Sequence, residues 1–170
     1  MERIIIFGNS GSGKSTLALA LAKRLRAPHL DLDVIAWKAD QPGVRAAPEE
    51  SLRQLMSFIE GSECWVIEGC YSGLLREAAA YCTEMIFLHP GTEACQENCR
   101  ARPWEPHKYP SREAQDANLR MLLEWVAEYE TREDEFSLVE HRKLFDEFAG
   151  RKVEYRSNAE AFKRADNGEA

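Results

Sequence analysis

Residues Gly8-Asn9-Ser10-Gly11-Ser12-Gly13-Lys14-Ser15 carry the pattern G-x-x-x-x-G-K-[ST], and the apolar run Ile4-Ile5-Ile6-Phe7 leads straight into it. A β-branched run of this kind predicts a buried parallel strand. The glycines permit a tight loop whose backbone N–H groups turn inward onto phosphate oxygens. Lys14, expected to be surface-poised in that loop, is placed to reach the β- and γ-phosphates of ATP, and the Ser15 hydroxyl to ligate Mg2+. Thr16 to Leu25 is rich in Leu and Ala and predicts a helix, whose N-terminus adds a positive dipole end to the anion site. Gly8 to Thr16 thus reads as a Walker A segment. A dinucleotide fingerprint is excluded, because its third glycine would fall on Thr16 and Lys14 would have no purpose. A plain glycine turn between strand and helix needs neither Lys14 nor Ser15.

With 170 residues the chain is long enough for one domain with a substantial core. Its net charge of −7 excludes a broad surface for long nucleic acid or anionic membranes, though not a local basic cleft. No apolar run approaches the ~18 residues that cross a bilayer. Met1-Glu2-Arg3 passes directly into a strand, which predicts no signal peptide. The five cysteines, Cys64, Cys70, Cys82, Cys95 and Cys99, are odd in number and scattered, as reduced thiols of a cytoplasmic protein would be. Cys95 and Cys99 stand one helical turn apart with His89 and His107 nearby. Paired C-x2-C spacing is absent, so two helical thiols packed on a strand is the simpler reading than a zinc clip.

Strand and helix signals alternate along the chain. Strands are expected at about Arg3 to Phe7, His29 to Leu32, Cys64 to Ile67, Met85 to Leu88 and Lys152 to Tyr155. Helices are expected from Lys14 to Arg26, Glu49 to Ile59, Leu74 to Tyr81 and Thr92 to Arg100. A long helical stretch should run from Arg112 to Phe148, broken near 135–137 and ended by Gly150. A last helical turn or two covers Ala159 to Arg164. The segment Ala101 to Ser111, with three prolines, two aromatics and cationic side chains, reads as an ordered loop or lid. The expected fold is α/β, a five-stranded parallel sheet with helices on both faces. Residues 1–165 form the single domain and 166–170 a frayed tail.

Such sheets bind ligands beyond the carboxyl ends of their strands. Gly8–Ser15, Asp31, Asp33 and Glu68 all lie at such ends. Phosphoryl transfer needs charge neutralisation and alignment more than covalent chemistry. Carboxylates here can hold metal-bound water or accept a proton from a hydroxyl. Trp37, Tyr71 and Trp104 offer flat faces to a planar acceptor, although large aromatics are more often core or lid packing.

The loop, Asp31-x-Asp33, the strand leading into Glu68-Gly69 and the arginine-bearing segment after strand four resemble small P-loop kinases of the adenylate kinase and shikimate kinase type. A nearer similarity is to small bacterial proteins described as shikimate-kinase-like, adenylate-kinase-like or DNA topology modulation proteins. It rests on His29-Leu30-Asp31-x-Asp33 with Trp37, and on Trp65-Val66-Ile67-Glu68-Gly69-x-Tyr71-Ser72. The resemblance implies the P-loop NTPase fold of the nucleotide/shikimate kinase type, with ATP and Mg2+ as cofactors. It implies that Asp31 and Ser15 hold the metal shell, and that Asp33 faces a small-molecule acceptor in an insert at about 34–60. Glu68, Gly69, Trp37 and Tyr71 would line the acceptor side.

It also implies a lid at about 100–111, with Arg100 closing over ATP and Arg102 stabilising the transferring phosphoryl. With few aliphatic anchors, the segment is expected to be mobile until a triphosphate relieves the repulsion among Arg100, Arg102 and Lys108. Thr131-Arg132-Glu133-Asp134-Glu135 with Arg142 is similar to an R-x-D-D…R stretch whose arginines contact phosphates. The departures are Glu68-Gly69-Cys70 where shikimate kinases have three glycines, and Cys70-Tyr71-Ser72 where adenylate kinases have aromatic-Pro-Arg. Neither named acceptor is supported. The expected activity is an ATP- and Mg2+-dependent phosphotransferase on a hydroxyl or phosphate. The alternatives are a nucleotide-binding regulator or weak NTPase, and a nucleoside or nucleic-acid-end kinase.

Overall fold

The computed structural model of the chain describes residues 1–41, 43–106 and 109–167; His107, Lys108 and the end of the tail lie outside the described residues. The strands are β1 (Arg3–Gly8), β2 (His29–Asp31), β3 (Trp65–Gly69), β4 (Glu84–Leu88) and β5 (Arg151–Tyr155). They form one sheet in the order β2-β3-β1-β4-β5, and every neighbouring pair is parallel. The three middle strands are buried on both sides, which is why they read as unbroken apolar runs.

Side chains of β1 alternate between the two faces. Ile4 and Ile6 join Val66 and Ile86 under α1 (Lys14–Leu25) and α8 (Asn158–Asn167). Ile5 and Phe7 join Ile67 and Phe87 under α2 (Asp33–Ala36), α3 (Pro48–Glu60), α4 (Ser72–Ala79) and α7 (Leu138–Glu147). Two more helices, α5 (Thr92–Ala101) and α6 (Arg112–Ala127), pack on each other through Cys95, Cys99 and Val126. The α/β fold with helices on both faces is therefore as the pattern predicts. Among the described residues no helix is long and apolar enough to cross a membrane.

Several boundaries differ from expectation. The stretch 112–148 is two helices, with α6 closing at Ala127, a 3-10 turn at Glu128–Glu130, and α7 opening at Leu138. The break comes early because Arg132 folds back and donates to the Trp125 carbonyl, a helix-end group with no partner inside the helix. Ser137 restarts the helix by accepting from the Glu140 amide at 3.1 Å. Gly150 is not the stop. Phe148 turns extended after α7, and Lys152 Nζ donates to the carbonyls of Phe145, Asp146 and Phe148 at 2.8, 3.0 and 2.8 Å. β2 stops at Asp31, because Leu32 turns into α2 and packs over the bare Cα of Gly69. α4 starts at Ser72 rather than Leu74, and α8 runs on past Arg164 to Asn167.

Candidate functional site

The glycine loop leaves β1 at Gly8 and enters α1 at Lys14. Gly11 and Gly13 have φ of 75° and 94°, in the left-handed region. A Cβ at Gly11 would stand 2.3 Å from the Cys95 carbonyl oxygen, and one at Gly13 would stand 2.6 Å from Asn158 Nδ2. The loop is thus wedged between α5 and the start of α8. Asn98 Nδ2 donates to the Gly11 carbonyl at 2.8 Å, and Asn158 Nδ2 to the Ser12 carbonyl at 2.7 Å. Asn98 also donates to Asn158 Oδ1 at 2.9 Å, which links the two clamps. In a trans peptide the amide after a carbonyl points the opposite way, so the Gly13 N–H is turned from the clamp into the loop. Asn9 Nδ2 fastens the near side to the Val126 carbonyl at 3.0 Å.

Lys14 is not surface-poised: it is buried, and its ammonium donates to the Asn9 carbonyl at 2.8 Å across the loop. Ser15 and Thr16 are exposed at the start of α1. Cys95 and Cys99 pack against the loop and α6, with free thiols.

Asp31 and Glu68 are register partners on β2 and β3. Glu68 is buried and its Oε1 accepts the Ser15 hydroxyl at 2.7 Å. The register thus carries Glu68 to the Ser15 hydroxyl at the start of α1, whereas the resemblance placed it with Trp37 and Tyr71. Gly69 is a packing residue, buried under Leu32. Burial foremost, then the Asp31 charge, pushes the Glu68 carboxyl up to about 7, while Lys14 and the Ser15 hydrogen bond pull it down. The donor set of a hydroxyl and two carboxylates is hard oxygen, which fits Mg2+. Among the described residues no group of three His, Cys, Asp or Glu could hold a metal ion unaided.

Because its pKa is raised in the fold, Glu68 binds its proton more tightly in the folded than in the unfolded chain. Stability from this group falls as pH rises from 4.5 to about 7 and is level above. Binding of Mg2+ to the ionised pair should run the other way, strengthening up to about 7 and flattening beyond. Calorimetric titration of Mg2+·ATP across that range should show this slope in the native chain and its loss in Glu68→Gln. The same slope in both proteins would exclude Glu68 from the metal shell.

A second cluster is built on α2. Asp31 Oδ1 accepts the Asp33 amide at 2.9 Å, a short turn that lifts Asp33 off the strand and onto the first turn of α2. The two aspartates therefore do not share one strand face. Tyr71 donates its hydroxyl to Asp33 Oδ1 at 2.5 Å, and Trp37 Nε1 donates to the Tyr71 oxygen at 2.7 Å. The structure thus brings together Asp33, Trp37 and Tyr71, as expected, and adds three residues that sequence reasoning missed. The Arg45 guanidinium lies over the rings of Trp37, Tyr71 and Phe136 at 5.2, 4.8 and 5.8 Å, and pairs with Glu135 at 3.1 Å.

Behind this wall His141 Nδ1 faces the Tyr129 hydroxyl at 2.7 Å and Nε2 faces the Cys70 carbonyl at 2.8 Å. These partners assign the proton to Nε2. Burial holds this imidazole down at about 4, so it stays neutral and pins the segment leading to Tyr71.

Arg132 and Arg142 part company. Arg132 lies 3.9 Å over the Trp125 ring with its side chain only 7% exposed, and its Nε and Nη1 have no hydrogen-bond partner among the described residues. Arg142 is instead tied through two hydrogen bonds of 2.9 Å to Glu154 and lies over Phe87. That pairing holds the Glu154 carboxyl down at about 2 and ties Arg142 to the β4–β5 edge.

Arg100 closes α5 and Arg102 follows it, paired with Glu105 at 3.4 Å. The described residues of this segment are tied to α6 by polar contacts rather than by aliphatic packing. Gln115 of α6 accepts the Glu105 amide at 2.8 Å and donates to the Pro103 carbonyl at 3.0 Å, and Asn118 holds the Tyr109 hydroxyl at 2.9 Å. Asn158 was missed although the rule that flagged Asp31 and Glu68 reaches it, since it opens the helix at the exit of β5. Arg45 and Glu135 carry no local signal.

No protein-family model matches the sequence. The chain is 28% identical over 131 residues to the uncharacterized protein YqaC of Bacillus subtilis, covering 76% of this chain and 73% of that one. Its fold is similar to shikimate kinase from Bacteroides thetaiotaomicron, with a TM-score of 0.61 and 18% identity over 98% of this chain and 95% of that one. It is also similar to a sugar kinase from Janibacter, with a TM-score of 0.51 and 16% identity over 97% and 92% of the two chains. The fold is thus the P-loop fold shared by small-molecule kinases.

Proposed function

We propose that the chain is an ATP- and Mg2+-dependent phosphotransferase acting on the hydroxyl of a small molecule. The observation that carries this reading is the meeting of two half-sites at the carboxyl ends of one parallel sheet. On one side stand the loop, Lys14, Ser15, Asp31 and Glu68; on the other stand Asp33, Tyr71, Trp37 and Arg45. The kinase names of its structural neighbours support the same class.

Ser15, Asp31 and Glu68 are the residues that would hold Mg2+, which supplies charge neutralisation between the β- and γ-phosphates. The loop amides and Lys14 bind the triphosphate and draw its charge toward the leaving side. Asp33 accepts the proton of the acceptor hydroxyl as its oxygen bonds to the γ-phosphorus. The bridging bond to the β-phosphate breaks, and ADP leaves with that electron pair. Arg132 pairs with Glu128 at 3.5 Å, and its Nε and Nη1, which have no hydrogen-bond partner among the described residues, suit an anion that enters beside Trp125. Arg100 and Arg102 remain the cationic groups of the lid. Five free thiols support a reducing compartment, the cytoplasm.

ATP consumption screened against polyols, sugars, sugar acids, amino alcohols and nucleoside monophosphates tests the reading. With an active acceptor, Asp33→Asn should lower kcat by about 10²-fold while leaving Mg2+·ATP affinity unchanged. Asp31→Asn should mainly weaken the Mg2+ dependence. Equal loss of ATP affinity in both variants with kcat intact would show that these roles are misassigned.

A further inference from the structure

We infer that the acceptor carries a cationic group, an ammonium or a guanidinium, and that Arg45 occupies the place of that group until it is displaced. The inference rests on the phosphotransferase reading for the acceptor's hydroxyl, but the box itself is independent of it. Three ring faces, from Trp37, Tyr71 and Phe136, enclose one guanidinium within 5.8 Å, and the Glu135 carboxylate closes an edge at 3.1 Å. Rings set around a carboxylate-edged space make a receptor for cations, because their negative faces all turn on the same point.

The walls are fixed while the guest is tethered. Tyr71 is buried, Trp37 is hydrogen-bonded to it, and Phe136 meets it edge-on at 5.3 Å and 76°. Arg45 comes from the stretch 38–47, where most of the described residues are exposed. Backbone bonds from Lys38 to Val44 and from Ala46 to Ala36 frame that stretch, and the Arg45 side chain is 41% exposed. The Arg45 backbone is bridged to Trp37, so displacement of the guest is a swing of its half-exposed side chain alone.

Charge points the same way. Without the Arg45 side chain the Glu135 carboxylate at the edge of the box loses the cation it pairs with at 3.1 Å, and a cationic group of the acceptor would take that place. Asp33 is joined to the box by the Tyr71 hydroxyl. A ligand whose cation replaces the Arg45 guanidinium would place a hydroxyl one tyrosine ring away at the Asp33 carboxylate. Amino alcohols, amino sugars and guanidino alcohols carry both groups.

Calorimetry and Trp fluorescence with glucosamine, glucose and gluconate, three six-carbon polyols of three charges, test the inference on the full chain with a non-hydrolysable ATP analogue and Mg2+. Glucosamine should bind at least roughly tenfold more tightly than gluconate. Arg45→Ala should tighten glucosamine by a further several-fold, and Glu135→Gln should weaken it, both with ATP affinity unchanged. Preference for gluconate, with its loss in Arg45→Ala, would make Arg45 an anion anchor and overturn the inference. Indifference to charge, or no binding of any probe, would overturn it as well. Selective glucosamine binding without ATP consumption would keep the cation box and sink the phosphotransferase reading.

Discussion

Replacement of Lys14 by alanine should lower turnover by about 10²- to 10³-fold while the fold survives. The ammonium spans the loop to the Asn9 carbonyl at 2.8 Å, where it is held ready to exchange that weak neutral partner for phosphate oxygens. What the substitution removes is a preorganised charge facing the transferring group. It removes little packing, because Lys14 opens α1 and alanine is the best helix former for that place. Lys14 is also one of the groups that keep Glu68 ionised. Its loss should therefore shift the pH dependence of Mg2+·ATP binding upward. Steady-state kinetics with the acceptor, circular dichroism and a thermal melt measure the two halves of this expectation. Near-normal turnover by a folded Lys14→Ala protein would remove the loop from the reaction.

Replacement of Glu84 by leucine should have the largest effect on stability, a loss of about 3–5 kcal/mol. Glu84 begins β4 at the end of the sheet opposite the loop and is 2% exposed. It accepts two hydrogen bonds from Arg164 at 2.6 and 2.5 Å and one from Arg151 at 2.8 Å. Arg164 is itself 10% exposed, so removing the carboxylate leaves a guanidinium buried without a counter-charge. Arg164 also receives the α1 helix, since Arg24 donates to its carbonyl at 2.7 Å. Losing the triad should loosen α8, and with α8 the Asn158 clamp on the loop. Urea denaturation followed by circular dichroism should show a lower midpoint with an unchanged slope. The double replacement Glu84→Leu with Arg164→Met should recover much of the loss, because it removes the orphaned charge along with its partner. A single substitution within about 1 kcal/mol of the native chain would show that the triad is dispensable.

The sheet and the loop were legible because their signals are local. Ile4 to Phe7 reads as a strand buried on both sides, and the glycines after it read as a tight loop running into a helix. Helix ends were less legible, since they depend on which distant or nearby side chain satisfies the last carbonyls. Arg132 on Trp125 and Lys152 on the end of α7 each moved a boundary. The strand-end rule found Asp31, Asp33 and Glu68, but it did not sort them into sides.

Sorting them took the β2–β3 register and one turn. Register placed Glu68 beside Asp31 and under Ser15, and the Asx turn lifted Asp33 toward Tyr71. The likeness to R-x-D-D…R offered two arginines with the same promise, and only their partners separated them. Glu154 neutralises Arg142, whereas Arg132 keeps two buried donors without a bond among the described residues. What the sequence by itself determined is the fold and the glycine loop between β1 and α1, because a β-branched run, a glycine loop and a helix former act through neighbours a few bonds away. What only the tertiary structure decided is the acceptor end. There Trp37, Arg45, Tyr71, Glu135 and Phe136 arrive from separate segments, and ring faces and charges act through space rather than along the chain.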